Sequence, residues 1–238
     1  MRLPAIAFAL VLGQGSTVLA RPCPVDPSIG KAPGVAGKDS RERMAFIRAR
    51  IEAGGKHELR WALGWGIGLA LVSVAQLALI PLEHPDERPV LYIGALQSAI
   101  GAGSRALFIP RSTIERRRMR KQNPDPDDCA ALAAAERALA RSAKTAHHGK
   151  AVWQHFLSLG VNAGIGLLLG LAFKKPVEGS RLAAIGMITG QVMIVTQPTT
   201  MIRSMDSYKL GRIGTPTRVS PRPFMLLGGG GVMISGSI

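Results

Sequence analysis

The sequence predicts an all-α integral membrane protein with four transmembrane helices, built as two tandem, parallel helix-plus-hairpin repeats behind an N-terminal signal peptide. Three observations predict this class. Charges vanish from four windows and crowd between them, as expected of apolar helices alternating with aqueous segments. The two halves resemble one another. An offset of 94 residues sets Glu42-Arg43 on Glu136-Arg137, Gly55-Lys56 on Gly149-Lys150, Leu63 and Gly66 on Leu157 and Gly160, and Leu77-Ala78 on Leu171-Ala172. After a two-residue shortening, Ile93-Gly94 meets Ile185-Gly186 and Arg111-Ser112 meets Arg203-Ser204. Finally, residues 1–20 carry a basic start (Met1-Arg2), an apolar run and a small-residue end at Val18-Leu19-Ala20, the layout of a secretory signal.

Taken in order, the apolar run of residues 3–12 is too short to span, which favours a signal peptide over residues 1–20. Cys23 follows Ala20-Arg21-Pro22, which is no lipid-attachment sequence. Residues 21–39 are rich in Pro and Gly and read as a flexible tail. The first repeat covers residues 40–115. It opens with a short amphipathic helix capped by Ser40, on which Met44, Ile47 and Ile51 share a face among Arg41, Arg43, Arg48 and Arg50. This helix packs against its repeat partner or lies in the headgroup layer, and Gly54-Gly55 is expected to interrupt it. Residues 61–82 form the first uncharged span, with Trp61 and Trp65 at the interface. Residues 83–89 make a polar loop, and residues 90–109 form a second span in which Arg105 snorkels towards the near interface.

Residues 116–127 read as a basic linker. Arg116-Arg117-Arg118 and Arg120-Lys121 precede Asn123-Pro124-Asp125-Pro126, which breaks any helix. The second repeat covers residues 128–205. Asp127 or Asp128 caps an Ala-rich helix reaching Ala146, with Leu132, Ala135 and Leu139 on one stripe. Spans follow at residues 156–173 and 182–202. Residues 206–238 form a Pro/Gly-rich tail with a short β-hairpin as its expected local structure.

Two rules disagree about orientation. A cleaved signal peptide and four spans put both tails and the central connection in the periplasm of a bacterial inner membrane. That connection, residues 110–152, carries ten Lys/Arg against one in the first hairpin loop, so the positive-inside rule prefers the reverse. Signal-directed translocation is expected to prevail. Cys23 and Cys129 then share an oxidising compartment, which permits a disulfide. The bacterial assignment rests on the bias towards Arg, Ala and Gly.

Small residues recur every fourth position, at Gly64 and Gly68, at Gly160 and Gly164, and at Gly186 and Gly190. This spacing is expected to let helices pack closely in lipid. Gln76, Gln97, Arg105, Asn162, Gln191 and Gln197 are the polar intramembrane candidates, with hydrogen-bonded glue as their expected role. The net charge of +15 flanks the apolar windows, so anionic lipid headgroups are the expected counter-charge and nucleic acid is not. No phosphate-loop, zinc or hydrolase signature is legible, so no cofactor, metal or catalytic residue is expected. The expected function is a non-enzymatic structural or partner-binding membrane component that engages a membrane protein partner or a second copy. A small transporter or channel subunit with a polar path between helices is the alternative.

Overall fold

The structure is a computed structural model that describes residues 23–107, 109–214, 219–226 and 229–236. The expected signal peptide, residues 1–20, lies outside the described residues. Among the described residues seven α-helices carry the fold: α1 (Ser40–Leu79), α2 (Arg88–Leu107), α3 (Arg111–Gln122), α4 (Cys129–Gly149), α5 (Val152–Ala172), α6 (Pro176–Thr196) and α7 (Thr200–Lys209). Two strands, β1 (Val219–Leu226) and β2 (Gly229–Gly236), pair antiparallel beyond them.

Helix α1 runs 40 residues without a break, about 60 Å at 1.5 Å per residue. Its cap is Asp39, not Ser40; the Asp39 carboxylate accepts a hydrogen bond from the Arg41 amide at 3.0 Å. The expected interruption at Gly54-Gly55 does not occur. Both glycines sit where neighbouring chains press on the helix. A Cβ on Gly54 would lie 2.4 Å from Met201 Sδ, and one on Gly55 would lie 3.0 Å from the Ser112 carbonyl oxygen. Close packing thus offsets the roughly 1 kcal/mol propensity cost of each glycine. In the second half the corresponding helix does break, at Lys150-Ala151, with Ala151 in extended conformation ahead of α5.

Residues 116–122 are not a linker but part of α3, which begins at Arg111 after Pro110. It ends at Asn123, in left-handed conformation (φ 37°) before Pro124, which disfavours a helical residue ahead of it. Asp128 caps α4 by accepting from the Ala130 amide at 2.8 Å. Helix α5 starts at Val152, four residues before the expected span. The fourth apolar helix is shifted likewise, covering Pro176–Thr196 in place of residues 182–202. Pro198 forces Gln197 into extended conformation (ψ 131°), and the chain restarts as the separate helix α7.

These helices form two layers. In one, the N-terminal half of α1, α3, α4 and α7 make a four-helix bundle: α1 packs on α3 as α4 packs on α7, and α1 meets α7 as α4 meets α3. The hydrophobic core lies here, among Met44, Phe46, Ile47 and Ile51 of α1, Leu132, Ala135 and Leu139 of α4, and Met201, Met205 and Tyr208 of α7. Residues 23–39 are not a free tail; they cross the bundle as an ordered strap that buries Ile29 and Val35. The other layer holds two hairpins, the C-terminal half of α1 with α2 and α5 with α6. Its large apolar side chains, Leu71, Ile100, Leu171 and Val195 among them, point outward. The stretches Ser40–Leu82, Val152–Ala172 and Pro176–Lys209 are long and apolar enough to cross a membrane. Helix α2, diluted by Gln97, Ser98, Ser104 and Arg105, is not among them.

Candidate functional site

The two halves of the chain meet at three levels, each of which includes polar contacts. In the bundle, Cys23 and Cys129 are joined by a disulfide with 5.3 Å between their Cα atoms, tying the strap to the start of α4. Beside it lies a buried network. Arg43 donates to Tyr208 Oη at 2.9 Å, to the Cys23 carbonyl oxygen at 2.6 Å, and to Glu136. Glu136 also accepts from the Tyr208 hydroxyl and, at 2.7 Å, from the Asp26 amide. Arg43 and Glu136 are at most 1% exposed, so a charge pair is held in a dry core with each member supplied by several partners. Burial, together with the bond to Glu136, pushes the Tyr208 hydroxyl above its usual range, so it stays a donor. Arg137 extends the network to Asp26 at 2.6 Å. The network therefore joins the strap, α1, α4 and α7.

Within the helical hairpins, Gln97 of α2 donates to Asn162 Oδ1 of α5, and Asn162 Nδ2 donates to the Ser158 carbonyl oxygen at 2.7 Å. Gly186 of α6 closes this seam. A Cβ there would lie 2.0 Å from Asn162 Oδ1 and 2.1 Å from Gln97 Nε2, and one on Gly190 would lie 2.1 Å from Ser158 Oγ. One turn towards the bundle, Gln191 bonds the ring and the backbone of His155. Gln76 sits apart from this seam, against Gly94 within the first hairpin, and Gln197 lies against Gly149. On the far side, Lys175 pairs with Glu87 across the two hairpin loops.

Four of the glycines expected to pack do not. Gly64, Gly68, Gly160 and Gly164 are exposed, and a Cβ on any of them would meet nothing within 4 Å. Regular spacing put them on one face, but that face is the outward one. The closest helix crossing falls at Gly166 and Gly179, where a Cβ on Gly179 would lie 2.5 Å from the Gly166 carbonyl oxygen. Gly66 meets Arg105 in its own hairpin and not the other half.

Between the layers lies a cavity of about 770 Å³, lined by residues of α1 to α6, including Glu58, Trp61, Arg105, Arg111, Trp153 and Gln197. The Arg105 guanidinium stacks over the Trp61 ring, 5.5 Å from its centroid. Ser112 donates to Glu58 Oε2, while Glu58 Oε1 is buried with no hydrogen-bond partner. Burial pushes the Glu58 carboxyl up to about 7, opposed by the Ser112 bond. Trp61 Nε1 donates to Thr196 Oγ1 at 3.3 Å and the Lys150 ammonium to the Val195 carbonyl oxygen at 3.0 Å, tying the middle of α1 and the end of α4 to the end of α6. Glu58, Glu136 and Tyr208 were not singled out by sequence; the first two are ordinary helix-surface residues by composition, and burial alone distinguishes them.

Among the described residues no three His, Cys, Asp or Glu side chains come together as a metal site. No protein-family model matches the chain, and comparison with curated proteins and with solved structures finds no similar one.

Proposed function

We propose that the chain is a non-enzymatic, multi-pass component of a bacterial inner membrane, in which two parallel repeats with four spans carry a disulfide-stapled bundle on the periplasmic face. The bundle serves as a scaffold for a membrane protein partner or a second copy, with anionic lipid headgroups beside its basic surface. One observation carries this reading: the packed core, the charge network and the disulfide all belong to the bundle, while the hairpins turn apolar side chains outward. Connectivity supports the fourth span. Because α1 and α3 both pack in the bundle, a chain that leaves through α1 must return through α2, whose outward Tyr92, Leu96 and Ile100 suit lipid. The disulfide supports an oxidising compartment for the bundle, against the positive-inside preference.

The alternative, a small transporter or channel subunit, would route a solute past Gln97 and Asn162. These residues bond one another with Gly186 pressed against them, which favours glue over a path. A C-terminal reporter active only in the periplasm tests the orientation, and activity of a cytoplasm-only reporter would overturn it. Recovery of a stoichiometric partner or a defined oligomer after mild solubilisation supports the scaffold; solute flux in vesicles containing only this protein would replace it with the transporter.

A further inference from the structure

The cavity between the layers has the makings of a ligand site, and the chemistry of its walls narrows the ligand. Two opposite charges line it without making an ion pair with each other. Arg105 is held over Trp61 and makes no ion pair among the described residues, whereas Arg111 is already engaged by Glu115 at 3.0 Å. Glu58 is 7% exposed, and its Oε1 lacks a partner. A buried carboxylate oxygen left unpaired is costly, and a bound donor relieves that cost. Thr145, His148, Gln154 and Gln197 add neutral or weakly basic polar groups, and Leu107, Trp153 and Leu157, between 52% and 80% exposed, give the side of the hairpins an apolar rim. A ligand seated here needs a cationic donor for Glu58, an anion for Arg105 and a hydrocarbon portion for the rim.

We propose that this cavity binds a zwitterionic phospholipid, with the headgroup ammonium reached by a turn of the Glu58 carboxyl, the phosphate on Arg105 and an acyl chain leaving over Trp153 and Leu157. An anionic lipid such as phosphatidylglycerol satisfies Arg105 but offers Glu58 only neutral hydroxyl donors, with no cation to balance the carboxylate once it ionises. A free phosphate has nothing to place on the apolar rim. Bound ammonium would also hold the Glu58 carboxyl charged at neutral pH, where burial alone leaves it balanced between its two forms. The inference rests on the membrane placement proposed above.

Its test is native mass spectrometry of the full chain released from nanodiscs holding equal amounts of phosphatidylethanolamine and phosphatidylglycerol. One retained phosphatidylethanolamine per chain is expected, weakened about tenfold by Glu58→Gln and by Arg105→Gln, the scale of one charge-assisted hydrogen bond. Arg105→Lys, which keeps the charge, should retain most of the adduct. Glu58→Gln preserves an acceptor for Ser112, and an unchanged non-reducing gel mobility verifies that each variant folds. Preferential retention of phosphatidylglycerol, or adducts indifferent to both Gln variants, would overturn the site. Resistance of the protein to alkaline carbonate extraction checks the membrane placement separately: a retained protein with no phosphatidylethanolamine adduct sinks this site alone, and an extracted one sinks the placement.

Discussion

In the bundle, Met44, Ile47, Leu132 and Leu139 are no more than 1% exposed, whereas in the hairpins Leu71, Ile100, Leu171 and Val195 are 62–79% exposed. The same residue types are sorted inward in one layer and outward in the other, as the proposed difference in medium, water around one and lipid around the other, requires. Water drives the bundle's apolar groups together, and the buried Arg43–Glu136 pair survives there because each member has several partners. In the proposed membrane placement lipid gives no such drive, and the hairpins hold together through close backbone approach at Gly166 and Gly179 and through the Gln97–Asn162 seam. The comparison teaches that stability is concentrated in the bundle, while the membrane layer contributes alignment.

The sharpest way to break that contrast is to remove one member of the buried pair. Glu136→Ala leaves Arg43 charged in a dry core and should cost about 3–5 kcal/mol, read as a fall in the thermal midpoint of the detergent-solubilised protein. The double substitution Arg43→Met with Glu136→Leu should lose much less, and equal losses would contradict the network. Cys23→Ser should cost about 2–4 kcal/mol by releasing the strap, and reductant should have no further effect on that variant.

The layer junction responds to pH. Glu58 has a folded-state pKa of about 7, above its ordinary 4.5, so its contribution is full below the ordinary value and is lost as pH rises through about 7. Delipidated wild type should therefore lose up to roughly 3 kcal/mol relative to Glu58→Gln between pH 4.5 and 8. A parallel pH dependence of the two proteins would show that Glu58 is not held neutral by burial. Within the hairpins, Gly186→Ala should cost about 1–3 kcal/mol by unseating Asn162 and Gln97, whereas Gly64→Ala on the open face should cost nothing. Equal effects would erase the distinction between seam and outward face.

Much of this division was legible in the sequence, for a physical reason: charge-free windows announce helices in lipid regardless of what they touch. The stripe of Met44, Ile47 and Ile51 likewise announced a packed face, and its mate at Leu132, Ala135 and Leu139 supplies the other side. Helix α3 was hidden because its basic run looks like a linker until Glu115, buried between Arg111 and Arg141, is seen to anchor it. The strap was hidden because Pro and Gly signal a loop without saying whether a disulfide and an arginine hold it down. Small-residue spacing identified a face of each helix but not its direction, which is why Gly186 and Gly190 pack and Gly64 and Gly160 do not.

The central claim is a bundle stapled on the oxidising side of the membrane, and counting its thiols tests it most directly. Cells are quenched in acid, and the protein is denatured and treated with a polyethylene glycol maleimide before and after reduction. The account predicts no mass tag before reduction and two after it, on Cys23 and Cys129. Two tags before reduction, from protein in its native membrane, would contradict it.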